Sequence, residues 1–147
     1  MSATEILPNL WIGNCIVAKN KYFFESNQIQ ISINCTKDTV ENSISKKTLT
    51  LSVSDSLQKE DIIKMYKLLD STCDYIYSSL MSNYGVMVFC YAGKQRSATV
   101  IVAYLIKYGK MSLRDAIHTI KSKRSSIFTP GINFQEALVK FEKDQHI

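Results

Sequence analysis

Residues 85–106 read GVMVFCYAGKQRSATVIVAYLI, two apolar stretches joined by a short polar turn. The first, Gly85 to Cys90, is apolar throughout, as a strand covered on both faces is. The second, from Ser97, is apolar over more residues than a strand needs and reads as a helix. A strand passing through a glycine turn straight into a helix is the unit from which α/β sheets are built, so this strand is expected at the centre of such a sheet.

Working outward, LWIG, QISINC and KTLTLSV are three further β-rich runs, the last ending in the polar turn SDS. CIVAKNKYFFES, between the first two, reads as a short helix. From Gln58 to Met81, Ile62, Tyr66, Leu69, Cys73, Ile76 or Tyr77, and Leu80 recur at helical spacing and predict one long amphipathic helix. Ser112 with Asp115, and Asn133 with Glu136, resemble capping pairs at the starts of two more helices. Those helices carry Leu113, Ile117 and Ile120, then Phe134, Leu138 and Phe141. Strands and helices alternate first and helices gather at the end. The expected fold is α/β, a small and largely parallel central sheet flanked by helices.

A chain of 147 residues, 46% hydrophobic, suits one domain with its own core, and no repeat or low-complexity linker divides it. One domain over residues 1–147 is therefore expected. The net charge of +5 favours anionic partners without identifying one. Its densest basic segment, KSKR at 121–124, reads as the polar end of a helix, so no nucleic-acid partner is expected. The apolar run ATVIVAYLI is about half of the ~20 residues that span a bilayer, and the first residues do not form a secretory signal. No membrane span is expected, and the location expected is the cytoplasm or nucleus. The Lys-, Ile- and Asn-rich composition points to an AT-rich genome, viral or protist, and a viral source would mean the host cytoplasm. The four cysteines, at 15, 35, 73 and 90, lack the short paired spacing of zinc sites and are expected to be reduced. No metal or cofactor is expected, and oligomeric state is unreadable.

The chemistry lies where the apolar strand ends. Ligands of α/β sheets collect at the carboxyl ends of strands, and amides around Gly93 and the following helix start can converge on one anion. Arg96 adds a planar fork for two phosphoryl oxygens. Helix termini and nearby cations favour a cysteine thiolate, so Cys90 is a candidate nucleophile. In-line attack on phosphorus gives a phosphocysteine, and the leaving oxygen then needs a proton from a carboxylic acid on the far side. With four cysteines and three arginines, Cys-x5-Arg arises by chance about 0.08 times in such a chain, and the strand before it and helix after it make it specific. A Walker A loop is excluded because Gln95 follows Gly-Lys and Val88 holds the place of the first glycine.

On these residues the sequence resembles the cysteine-dependent dual-specificity protein phosphatases, as a small atypical member. Their signature is His-Cys, five residues, Arg, then Ser or Thr; FCYAGKQRS matches at all but the first position. ILPNLWIGN looks like the family's opening strand, ISINCT its second, and LSVSDS the strand before its general-acid loop. TVIVAYLIKYGKMSLRDAIHTIKSKR and FTPGINFQEALVKFE look like its closing helices, with the usual Pro-Asn replaced by Pro130-Gly131.

The resemblance implies Cys90 as nucleophile and Arg96 as phosphate clamp. It makes Tyr91, Ala92, Gly93, Lys94, Gln95 and Arg96 the phosphate-binding loop, with Ser97 assisting departure of Cys90 in the second step. Asp55 falls where the family keeps its general acid, with Asp61 as the weaker substitute. The implied activity is hydrolysis of phosphotyrosine, and of phosphoserine or phosphothreonine, in a phosphorylated protein substrate. Two departures define the alternatives. Phe89 replaces the histidine that supports the thiolate, which implies low activity or a phosphate-binding pseudophosphatase. Lys94, in AGK, resembles a loop lysine of phosphoinositide 3-phosphatases, which implies a polyanion such as a phosphoinositide, an inositol polyphosphate or an RNA 5′-triphosphate. Their other loop lysine is here Tyr91. Cys35, ending a predicted strand, is a candidate to pair with Cys90 on oxidation. His118 and His146 read as surface histidines, and Trp11 as packing.

Overall fold

The computed structural model describes residues 2–39 and 44–145; His146 lies outside them. Among the described residues five strands form one sheet: β1 (Ala3–Leu7), β2 (Leu10–Gly13), β3 (Ile29–Asn34), β4 (Lys47–Thr50) and β5 (Gly85–Phe89). Their order is β1-β2-β5-β3-β4, so the apolar strand at 85–89 is central, with every residue buried. The pairs β2–β5, β5–β3 and β3–β4 are parallel, and only β1–β2 is antiparallel. The parallel α/β architecture read from the sequence is the one observed.

The opening run ILPNLWIGN is a hairpin rather than one strand. Asn9 takes a positive φ of 70° and turns the chain, setting Leu7 opposite Leu10. β4 is shorter than the run KTLTLSV. Ser52 at φ 57° ends the regular ladder, although Leu51 N still donates to Asn34 O and Val53 N to Cys35 O.

The helices are α1 (Lys21–Ser26), α2 (Lys59–Met81), α3 (Arg96–Lys107), α4 (Leu113–Lys123) and α5 (Gln135–Gln145). The expected helix at 15–26 divides into a 3-10 turn at Val17–Lys19 and α1, because the Asn20 side chain accepts from Phe23 N and starts a new helix. Helix α2 buries Leu69, Cys73 and Ile76 and leaves Tyr77 partly exposed. Asp115 N donates to the Ser112 hydroxyl, which caps α4 as read. Among the described residues no backbone amide donates to Asn133 Oδ1, so the expected cap of α5 is not seen; its Nδ2 donates to Asp55, a tertiary partner that a local pattern does not contain. None of these helices is long and apolar enough to cross a membrane.

Alternation along β5 separates two cores. Val86, Val88 and Cys90 face the larger one, shared with α2 through α5, whereas Met87 and Phe89 face a smaller one with Val17, Ala18, Phe24 and Ile29. Cys90 therefore emerges on the face where α3 begins. Trp11 packs edge-on against Phe23, 5.4 Å between ring centroids, and His118 is exposed.

Candidate active site

The turn after β5 curls because Gly93 takes φ 68°; a Cβ there would come within 2.6 Å of Arg124 Nη2 and 2.9 Å of the Gly13 carbonyl. Four of the loop's carbonyls are tied down. Tyr91 O accepts from Cys15 N (3.1 Å), Gly93 O from Arg124 Nε (3.0 Å), Lys94 O from Phe128 N (2.9 Å) and Gln95 O from Thr99 N (2.9 Å). The amides of residues 91–96 donate to no acceptor among the described residues. A ring whose carbonyls are anchored outside and whose amides are left unpaired inside is a preformed anion cradle.

Cys90 sits at its floor, 3% exposed, with Sγ 3.1 Å from Ser97 Oγ. Arg96, the first residue of α3, uses one end of its fork to reach back: Nη1 donates to Val53 O at 2.9 Å. Its Nε is buried and has no hydrogen-bond partner among the described residues. A buried guanidinium N–H left unpaired is costly unless something else occupies that direction.

Asp55 lies after Val53 and is exposed, and it lines a cleft of about 360 Å³ together with Cys90, Tyr91, Ala92, Lys94, Gln95 and Arg96. The expected site residues thus come together, with Gly93 in the same loop and Ser97 against Cys90. Asp61 does not line the cleft. It sits in the first turn of α2, where a hydrogen bond from the Ser56 hydroxyl holds its carboxyl below the usual range.

Thr129, Pro130 and Asn133 also line the cleft, although no sequence motif marks them as site residues. Gln95, 7% exposed, binds that segment with both ends of its amide, donating to Gly131 O (2.7 Å) and accepting from Asn133 N (3.1 Å). Arg124 is a second omission. The segment KSKR is not simply a solvated helix end: Lys123 Nζ donates to Ile6 O at 2.7 Å, and Arg124 is 7% exposed beneath the loop. Among the described residues no carboxylate pairs with Arg124. Burial lowers its pKa from the ordinary guanidinium value, and the charge of Cys90 opposes that shift.

Phe89 points away from Cys90 into the smaller core and is 2% exposed. Cys35 is different. Asn34 pairs with Phe89, and Cys35 N donates to Phe89 O at 3.0 Å, so Cys35 and Cys90 leave neighbouring parallel strands side by side. Both are free thiols; burial first, and the Cys90 charge second, push the Cys35 pKa up and keep it protonated.

A five-stranded sheet with this loop at the end of its central strand has the architecture of the tyrosine and dual-specificity phosphatases. Residues 10–144 match the model of the dual specificity phosphatase catalytic domain, and the chain belongs to that family. It is 34% identical to human dual specificity protein phosphatase 16 over 95% of this chain, which is 21% of that protein. It is 32% identical to 123R, a candidate tyrosine phosphatase of Invertebrate iridescent virus 6, over 97% of this chain and 94% of the viral protein. The structure of human DUSP28 superposes with a TM-score of 0.85 at 21% identity, covering 99% of this chain and 95% of that one. The human tyrosine phosphatase-like serine/threonine/tyrosine-interacting protein shares the fold as closely, with a TM-score of 0.84 at 22% identity over 99% and 98% of the two chains. As a family member the chain is a protein-tyrosine/dual-specificity phosphatase, of a family that acts on phosphorylated proteins.

Proposed function

We propose that the chain, one catalytic domain throughout, hydrolyses phosphotyrosine, and phosphoserine or phosphothreonine, in proteins through a phosphocysteine intermediate in the cytoplasm. The observation that carries this reading is the buried, unpartnered Arg96 Nε beside an amide ring with Cys90 at its floor. A dianionic phosphoryl group satisfies every one of those donors at once.

In the first step the Cys90 thiolate attacks phosphorus, the P–O bond to the protein side chain breaks, and the departing oxygen takes the proton of Asp55. Charge building on the equatorial oxygens is met by Arg96 and by the amides of residues 91–96, already oriented before the reaction. In the second step water attacks the phosphocysteine, Asp55 now accepts the water's proton, and the S–P bond breaks. Ser97, 3.1 Å from the sulfur, donates to the departing thiolate. None of these steps draws on a metal or cofactor.

Lys94 supports a second reading. It lines the cleft, and a flexible cation beside the phosphate loop suits a polyanionic substrate such as a phosphoinositide, inositol polyphosphate or RNA 5′-triphosphate. A panel of phosphotyrosine and phosphothreonine peptides, those polyanions and p-nitrophenyl phosphate, run with wild type and Cys90→Ser, separates the readings. Hydrolysis of the peptides that Cys90→Ser abolishes is the expected result, and activity surviving that substitution refutes the mechanism. Strong preference for a polyanion favours the second reading. Phosphopeptide binding without phosphate release identifies a pseudophosphatase.

A further inference from the structure

The loop before α5 reaches back to the acid. Asn133 Nδ2 donates to Asp55 Oδ1 at 2.8 Å, and among the described residues nothing else hydrogen-bonds that carboxylate. Asp55 itself stands on an exposed connection between β4 and α2, flanked by Leu57 with φ 62°, and packing does little to hold it. Asn133 is anchored where Asp55 is not. Its backbone N donates to Gln95 Oε1, the same amide holds Gly131 O, and Gln95 belongs to the phosphate loop and is buried. A continuous series of hydrogen bonds thus runs from the loop through Gln95 and Asn133 to one oxygen of Asp55.

We propose that Asn133 is a positioning residue that indexes the general acid to the phosphate loop. The proposal rests on the reading of Asp55 as that acid. An amide N–H cannot donate to an oxygen already carrying a proton that points along the same line. Occupation of Oδ1 therefore leaves the proton of the acid form on Oδ2, the oxygen left to the leaving group. The bond also fixes the carboxyl plane, and proton transfer in a transition state is sensitive to that orientation. Pro130-Gly131, where the family has Pro-Asn, offers no side-chain amide at position 131, and Asn133 supplies one two residues later.

The proposal separates from a merely structural role by leaving group. p-Nitrophenolate, whose charge is delocalised, depends little on a proton to depart, whereas the oxygens of phenyl phosphate and of a phosphotyrosine peptide depend on one strongly. Asn133→Ala is expected to lower kcat/KM, which reports only the first step, about tenfold on phenyl phosphate, a fraction of the 10²–10⁴ a general acid contributes, and less than about twofold on p-nitrophenyl phosphate. In the Asp55→Asn background the same substitution should cost nothing further, because there is no acid left to position. Equal losses on both substrates, or an undiminished loss in the Asp55→Asn background, overturn the role of Asn133. If instead Asp55→Asn itself shows no dependence on leaving group, the acid assignment beneath the proposal is what fails.

Discussion

Replacing Arg124 with methionine keeps the aliphatic bulk beneath the phosphate loop and deletes the guanidinium. Three hydrogen bonds go with it: to Gly93 O at 3.0 Å, Thr4 Oγ1 at 3.0 Å and Ser2 Oγ at 2.5 Å. The two hydroxyls are half-buried and recover water, so each loss costs about 0.5–1 kcal/mol. The Gly93 carbonyl lies under the loop, and leaving it unsatisfied costs about 1–3 kcal/mol. Against these stands the relief of no longer burying a cation that has no carboxylate partner. The net destabilisation expected is about 2 kcal/mol, or about 4–8 °C in Tm for a chain of this size. Turnover should fall at 25 °C as well, where the variant is still folded, because the released carbonyl no longer keeps the neighbouring amides pointing inward. Thermal melting followed by circular dichroism, with kcat on p-nitrophenyl phosphate, measures both. Arg124→Lys keeps the charge without the fork and should fall between wild type and Arg124→Met. A Tm change under about 2 °C with unaltered turnover for Arg124→Met would refute the reasoning.

Two other perturbations test different parts of the fold. Restoring the family's histidine as Phe89→His should destabilise rather than repair the protein, by about 2–3 kcal/mol, because the ring enters the dry core among Val17, Ala18, Phe24 and Met87. Urea denaturation at neutral pH reads this, and an unchanged midpoint would show that the smaller core tolerates an imidazole. On the surface, Asp74 Oδ1 accepts from Lys107 Nζ (2.7 Å) and Tyr108 OH (2.5 Å), and these bonds hold its carboxyl below the usual range. A depressed carboxylate pKa contributes stability above the unfolded value of about 3.9 and loses it as pH falls through the folded one. Asp74→Asn should therefore lose less stability than wild type between pH 6 and pH 2; superimposable urea midpoints across that range would count against the assignment.

Most of the site was legible because its elements announce themselves locally. An unbroken apolar strand, a glycine and a helix start fix where Cys90 and Arg96 stand, whereas Asp55, in the polar turn after KTLTLSV, is singled out only by the family resemblance. What was not legible depends on partners distant in sequence. Asn133 has the local pattern of a helix cap, yet a carboxylate 78 residues away takes its amide. Arg124 follows three polar residues that predict a solvated surface, and only the fold brings it under Gly93, 31 residues earlier. The first strand escaped notice because ATEIL is short and half polar, and its pairing depends on Asn9 adopting a left-handed turn. Phe89 was readable as a departure from the signature, but not as a side chain facing the opposite side of the sheet from Cys90.

The bonds of Arg124 to Thr4, in the outermost strand of the sheet, and to Ser2 just before it make that edge part of the foundation of the loop after β5. An affinity tag or cleavage scar fused directly before Ser2 is thus joined to a residue two hydrogen bonds from Gly93. Kinetic constants from differently tagged preparations are then not interchangeable, and a tag beyond α5 is the neutral choice for comparing variants.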